Sequence, residues 1–167
     1  MNRQTNSVLN CYGYELINMK YTSEVTIDLP RDQVIDLFDN SENLYKWQVG
    51  LKSFTAISGE QGQEGAISEL VYEGRKGDLA MTETITRRSF PDEFHGIYKA
   101  RGVYNEISNY FLETADGYTI WRLESVFRFR GLMALMAPLM KAAFKNNTLM
   151  NMERFKAFAE NPGQSNT

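Results

Sequence analysis

The chain has 167 residues, of which 43% are hydrophobic and 23% are charged, so it can bury one sizeable core and is not disordered by composition. Its 18 Lys and Arg residues against 21 Asp and Glu residues give a net charge of −3, which argues against nucleic-acid binding and against a polybasic membrane-surface protein. One Cys excludes an internal disulfide framework, and one Cys with one His excludes the ordinary zinc sites.

The N-terminal segment, residues 1–18, is uneven and polar, and we expect it to be a loosely attached extension. It contains no apolar run of the length that a signal peptide needs. The most apolar stretch, residues 131–144, contains a Pro and a Lys and is shorter than the roughly 20 residues of a membrane span. These features predict a cytoplasmic protein without stable membrane insertion.

The regular pattern begins with a strand and two short helices. Apolar and polar side chains alternate over residues 21–29, which predicts a half-buried strand. Pro30 suits the first turn of a helix, and Val34 begins its apolar face. Ser41 is expected to cap a second short helix that ends near Trp47.

Six further strand-like runs follow, separated by Gly, Asp and Pro residues. Short runs with breakers at this spacing are typical of an antiparallel meander. The runs centre on residues 54–57, 68–72, 81–86, 94–100, 105–112 and 118–129.

After Gly131 the spacing of apolar residues becomes helical and predicts a long amphipathic helix that ends near Glu160. Leu149, Met152, Phe155 and Ala159 define its apolar face. Pro138 is expected to kink this helix or to delay its start. Residues 161–167 are predicted to be a polar tail.

The order of elements and the stretch SEVTIDLPRDQVIDLFDNSENLYKW, residues 23–47, resemble the START-like (helix-grip, SRPBCC) superfamily, in its polyketide cyclase/dehydrase and lipid-transport branch. The resemblance covers about residues 19–160, which we take as a single domain. It implies an α+β fold: a curved antiparallel sheet of about seven strands wrapped around a long C-terminal helix, with two short helices after the first strand. Because this superfamily contains binders, carriers and enzymes, it indicates a fold better than a function.

Strand parity predicts which side chains point between the sheet and the long helix. Glu83 lies among the inward-facing Met81 and Ile85, where a carboxyl costs free energy unless it is paired or protonated. We therefore expect its pKa to be raised. In the next strand Tyr98 points inward, whereas His95, the only histidine, points outward and is a weak candidate for catalysis.

The polar candidates each have a structural alternative. Glu83 either anchors a ligand or forms a salt bridge with a nearby arginine. Asn105 and Asn109 lie on the face that we expect to point inward, and Asn109 either orients a ligand or bonds to the backbone. The methionines of the long helix either fill irregular gaps in the core or line an adaptable cavity. The arginines considered as partners for the salt bridge of Glu83 are Arg87, Arg88 and Arg101.

The favoured function is binding, sequestration or transport of a small hydrophobic molecule, such as a lipid, a quinone or a polyketide-like aromatic. The alternative, implied by the resemblance, is a cyclase/dehydratase-type lyase or isomerase in which Glu83 or Tyr98 acts as general acid or base. A third possibility is an interaction role for residues 131–144. We expect no metal and no cofactor, and either a monomer or a homodimer. The predicted cavity residues are Trp47, Tyr72, Met81, Glu83, Tyr98, Asn105, Asn109, Trp121, Phe127, Met136, Met140 and Phe144.

Overall fold

The computed structural model describes residues 17–74 and 77–161. These residues form the predicted series of one strand, two short helices, six strands and one long helix. The strands are β1 (Ile17–Ile27), β2 (Leu51–Ser58), β3 (Ile67–Tyr72), β4 (Leu79–Ser89), β5 (Glu93–Ala100), β6 (Val103–Glu113) and β7 (Thr119–Phe129). The helices are α1 (Arg31–Asp39), α2 (Leu44–Trp47) and α3 (Leu132–Glu160), and a 3-10 turn (Ser41–Asn43) joins α1 to α2. The predicted N-terminal extension lies outside the described residues except for its last two, which belong to β1, and so does the predicted tail after Asn161.

The seven strands form one antiparallel sheet in the order β1-β7-β6-β5-β4-β3-β2. From β2 to β7 each strand pairs with the next one in the chain, which confirms the predicted meander. β1 pairs with β7 in unbroken register, from Ile17 opposite Phe129 to Ile27 opposite Thr119. β1 and β2 are therefore the two edges of the sheet.

Helix α3 lies chiefly against β1, and it also contacts β7 and α2. Under its C-terminal half, Met152 and Phe155 are fully buried together with Trp47 and Trp121, and these side chains belong to the main core cluster. Under its N-terminal half, a second core cluster is built around Phe127, Phe129, Ala134 and Ala137. Since α3 follows one side of the sheet, the packed core is concentrated at β1 and β7.

Three local predictions differ from the structure. Asn40, not Ser41, caps the turn between α1 and α2, because its Oδ1 accepts a hydrogen bond from the backbone N–H of Glu42 at 3.0 Å. Pro138 was expected to kink α3 or to delay its start, and the delay is wrong, because α3 already begins at Leu132; the kink stays a prediction. Leu149 is 37% exposed and not buried, because the buried stripe through Met152 is narrower than the apolar pattern suggested.

Candidate functional site

A row of polar side chains crosses the inner face of the sheet on four adjacent strands. The antiparallel register places Ser68 opposite Glu83, Glu83 opposite Tyr98, and Tyr98 opposite Asn105. Directly opposed residues of an antiparallel pair point to the same face. Ser68, Glu83 and Asn105 are buried, and Tyr98 is partly buried. We call these four residues the polar row.

Glu83 and Tyr98 form a hydrogen-bonded pair in the middle of the polar row. The Tyr98 hydroxyl donates to Oε1 of Glu83, whose side chain is only 9% exposed. Arg87 and Arg88 pair with other carboxylates, and no salt bridge to Glu83 is present within residues 17–74 and 77–161. The salt-bridge alternative for Glu83 is therefore wrong, and the partner of its carboxyl among the described residues is the hydroxyl of Tyr98.

Burial controls the protonation of this pair. It raises the pKa of Glu83 above its ordinary value of 4.5, and the hydrogen bond from Tyr98 opposes this shift. The pKa of Tyr98 lies well above its ordinary value of 10, because its hydroxyl is buried and lies beside the Glu83 carboxyl. Burial, and then the charge of Glu83, also raises the pKa of Tyr72. The Tyr72 hydroxyl donates a hydrogen bond to Oε1 of Gln48. Both tyrosines thus stay neutral, and Glu83 keeps its proton to a higher pH than an exposed glutamate.

The two asparagines of the inner face differ in how fully the protein satisfies them. Asn109 donates from Nδ2 to the carbonyl oxygen of Phe94 at 3.0 Å and accepts at Oδ1 from Nε1 of Trp121 at 3.0 Å. Asn105 accepts at Oδ1 from Oγ of Ser125 at 2.7 Å. Asn109 therefore holds the core together, in line with its structural alternative, while the Nδ2 group of Asn105 bonds to none of the described residues.

Burial of the inner face changes from one side of the sheet to the other. On β7 every inward side chain from Trp121 to Phe129 is buried, beneath or beside α3. On β3, β4 and β5, the inward Tyr72, Met81 and Tyr98 keep accessible surface, although their inward neighbours Ser68, Leu70, Glu83 and Ile85 are buried. The polar row thus runs from the sealed side of the sheet onto a side that α3 does not seal.

The predicted cavity residues fall into two groups. Trp47, Asn109 and Trp121 belong to the main core, and Phe127 and Phe144 belong to or pack on the second core cluster. The second group, Tyr72, Met81, Glu83, Tyr98 and Asn105, lies together on the inner face of β3 to β6. Met140 is half-buried on α3, and the side chain of Met136 lies outside the described residues.

Sequence reasoning missed three polar residues that the structure brings to this face. Ser68 has the same parity as the fully buried Leu70, so the alternation in β3 was a usable signal for it. Ser125 has the same parity as the buried Trp121 and Phe127, but its bond to Asn105 depends on strand register. Gln48 follows α2 and reaches Tyr72 across the fold, and no local pattern indicates such a contact.

His95 takes no part in the site, as its parity predicted. It points to the outer face, where its Nε2 lies 3.1 Å from Oε2 of Glu93. Residues 17–74 and 77–161 contain no group of three or more side chains suited to hold a metal ion. Among the same residues no helix has the length and apolar character needed to cross a membrane.

No family model matches the chain, and no curated protein is significantly similar to it in sequence. Solved structures do match. The Zhui aromatase/cyclase from a Streptomyces species superposes with a TM-score of 0.73 at 12% identity, over 89% of this chain and 98% of that one. The truncated norcoclaurine synthase from Thalictrum flavum superposes with a TM-score of 0.67 at 10% identity, over 86% of this chain and 93% of that one. An uncharacterized protein from Rhizobium leguminosarum gives a TM-score of 0.73 at 13% identity, over 88% and 97%.

Identities this low show a common fold and leave the activity open. The matched structures cover nearly the whole of the described domain, including the curved seven-stranded sheet, the short helices after β1 and the long C-terminal helix. The fold that the resemblance implies is thereby confirmed: the chain has the helix-grip fold.

Proposed function

We propose that the protein binds a small, mostly apolar molecule that carries a hydroxyl or carbonyl oxygen, on the inner face of β3, β4 and β5. The observation that carries the proposal is the buried Glu83–Tyr98 pair next to the accessible side chains of Tyr72 and Met81. Sites for small molecules are typically apolar, with a few polar groups that fix the orientation of the ligand. A lipid, a quinone or a polyketide-like aromatic fits this description.

The polar row supplies the groups that would orient such a ligand. Tyr98 bonds to Oε1 of Glu83, and Oε2 bonds to none of the described residues. While Glu83 holds its proton, the carboxyl is a donor for a ligand carbonyl, and once ionised it accepts from a ligand hydroxyl. The Nδ2 group of Asn105, two strands away, is a second donor on the same face.

The first experiment is native mass spectrometry of the protein purified from its own cell lysate, followed by denaturing extraction of what co-purifies. We expect a stoichiometric apolar molecule, and we expect Glu83→Gln to lower its occupancy. Glu106→Gln is the matched control, since Glu106 also accepts from a tyrosine hydroxyl, that of Tyr104 at 3.0 Å, but pairs with Arg128 on the outer face. The proposal fails if the wild-type protein is empty and takes up no fluorescent apolar probe, or if both variants lose the ligand equally.

The same pair favours a second candidate function, an enzyme of the cyclase/dehydratase type. A buried carboxyl with a raised pKa, bonded to a tyrosine, is suited to exchange a proton with a carbonyl compound. In that case Glu83 would be the proton donor or acceptor, and Tyr98 would hold it in place. Two of the matched structures are named as an aromatase/cyclase and a synthase, so this fold accommodates enzymes.

This candidate is distinguished from simple binding by turnover. The protein would be incubated with a small-molecule extract of its own cells, and the extract would be compared before and after by mass spectrometry. If the protein is an enzyme, the wild-type protein and Glu106→Gln deplete one compound and form another, and Glu83→Gln does not. Retention of an unchanged molecule by the wild-type protein argues for a binder.

A further inference from the structure

Two polar atoms on the inner face of the sheet are accessible but unbonded. Oε2 of Glu83 and Nδ2 of Asn105 form no hydrogen bond with the described residues. Neither is among the fully enclosed side-chain atoms that lack a partner, so each keeps some accessible surface, although the two residues are only 9% and 8% exposed. A buried polar group without a partner costs free energy, so each of these atoms is suited to bond with a ligand.

The strand register places these two groups on one line across the sheet. Glu83 on β4 lies opposite Tyr98 on β5, and Tyr98 lies opposite Asn105 on β6. Adjacent strands are about 4.8 Å apart, so the backbones at Glu83 and Asn105 are separated by about 10 Å. A ligand that bonds to both groups must therefore lie across the strands and carry a polar atom at each end.

The side chain of Tyr98 leaves this line open. A Cβ atom added at Gly96 would lie 3.4 Å from Cε2 of Tyr98 and 3.7 Å from its Cζ. Side chains two residues apart on one face of a strand start about 7 Å from each other, so the Tyr98 ring leans along β5 over Gly96. The ring thus lies beside the line from Glu83 to Asn105, where its apolar surface can contact a flat ligand.

We infer that the ligand carries two oxygen atoms at opposite ends of a ring skeleton and lies across β4, β5 and β6. One oxygen bonds to Oε2 of Glu83, and the other accepts from Nδ2 of Asn105. This inference rests on the proposed function and narrows its ligand class, because a molecule with a single polar end, such as a fatty acid, would leave one of the two groups unpaired.

Two isomeric naphthalenediols test the inference, because they have the same composition and the same rings. One isomer carries its hydroxyls at opposite ends of the ring system, and the other carries them on neighbouring carbon atoms. By titration calorimetry we expect the first isomer to bind about tenfold more tightly, since only this isomer pairs with both Glu83 and Asn105.

Paired variants show whether Asn105 is responsible for this preference. Ser125 donates to Oδ1 of Asn105, so Asn105→Leu/Ser125→Ala removes both partners of this bond and should fold with nearly wild-type stability. The double variant should bind the two isomers equally. Ser125→Ala alone is the matched control, because it keeps Nδ2 of Asn105 and should keep the preference. Urea unfolding of each variant shows whether a lost preference reflects lost folding.

The inference is overturned if the wild-type protein binds both isomers with equal affinity, or if the double variant keeps the preference. Either result leaves the proposed function intact, because a small apolar molecule is still bound. Failure of both isomers to bind a protein that does take up a fluorescent apolar probe also overturns the inference alone. If neither the isomers nor the probe bind, the inference and the proposed function fail together.

Discussion

Glu83 is an ionisable side chain held among apolar neighbours, so its titration is coupled to folding. Its pKa is raised in the folded protein, mainly by burial. Its contribution to stability is therefore fully present below the unfolded value near 4.5 and is lost as the pH rises through the folded value. We predict that the free energy of unfolding of Glu83→Gln rises relative to that of the wild-type protein between acid and neutral pH. The rise should be about 1.4 kcal/mol for each unit by which folding raises the pKa of Glu83.

Urea unfolding at a series of pH values measures this difference directly. Glu106→Gln provides the comparison, because Glu106 is on the outer face and pairs with Arg128. This comparison separates the effect of replacing any glutamate on the free energy of unfolding from the effect of the buried position of Glu83. Parallel pH profiles for the wild-type protein and Glu83→Gln would show that Glu83 ionises as easily in the folded chain as in the unfolded chain.

Asn109 is a second polar residue of the inner face, but its role is structural. Replacement by Ala would leave the carbonyl of Phe94 and Nε1 of Trp121 without their partner in the core. Because an unsatisfied buried polar group costs about 1–3 kcal/mol, we expect Asn109→Ala to lower the free energy of unfolding by about 2 kcal/mol or more. Urea unfolding tests this value, and a loss of bound ligand without any loss of stability would instead make Asn109 a ligand contact.

Helix α3 contributes unequally to the stability of the fold along its length. Its C-terminal half is anchored by Phe155, which is fully buried and whose ring packs against those of Phe38, Trp47 and Trp121. Truncation of such a side chain removes apolar burial and leaves a cavity, so Phe155→Ala should cost about 3–5 kcal/mol.

Leu149→Ala, on the same helix, is the natural comparison for Phe155→Ala. Leu149 is 37% exposed, whereas Phe155 is fully buried, so we expect the truncation of Leu149 to cost about 1 kcal/mol or less. Thermal or urea unfolding of both variants measures the two values. Equal costs would mean that the apolar stripe is as wide as the sequence pattern suggested.

The elements that the sequence predicted well are those with a strong local period. Alternation in β4 and β5 placed Glu83 and Tyr98 inward, but their contact depends on the register between the two strands, which includes a bulge between Ile85 and Arg87. The sequence contains no local pattern that predicts a bulge of this kind. The exposure of Leu132, Leu135 and Leu139 was not predicted for a related reason: residues 131–144 are apolar on most sides of the helix, so their periodicity does not indicate which side is buried.

At the scale of the whole molecule, the proposed ligand should stabilise the folded state. A molecule that binds only the folded state raises the free energy of unfolding, by about 2.7 kcal/mol at a free concentration one hundred times its dissociation constant. We predict that protein purified with its bound molecule melts at a higher temperature than the same protein after denaturing extraction and refolding. Adding the extract back should restore the melting temperature, and Glu83→Gln should respond less. Identical melting temperatures before and after extraction would count against a ligand held on the inner face.

The pairing of β1 with β7 also determines when the chain can fold during its synthesis. The contact between the Thr119 hydroxyl and the carbonyl oxygen of Leu29 closes a loop of 90 residues, and β1 has no other neighbour in the sheet. Contacts this distant in sequence slow folding, because the entropy of loop closure is lost before the pairing is gained. During synthesis on the ribosome, β1 therefore stays unpaired until β7 and α3 have emerged. Val25 and Ile27 stay exposed to solvent during that time. A chaperone that holds nascent apolar segments would have its longest contact with β1.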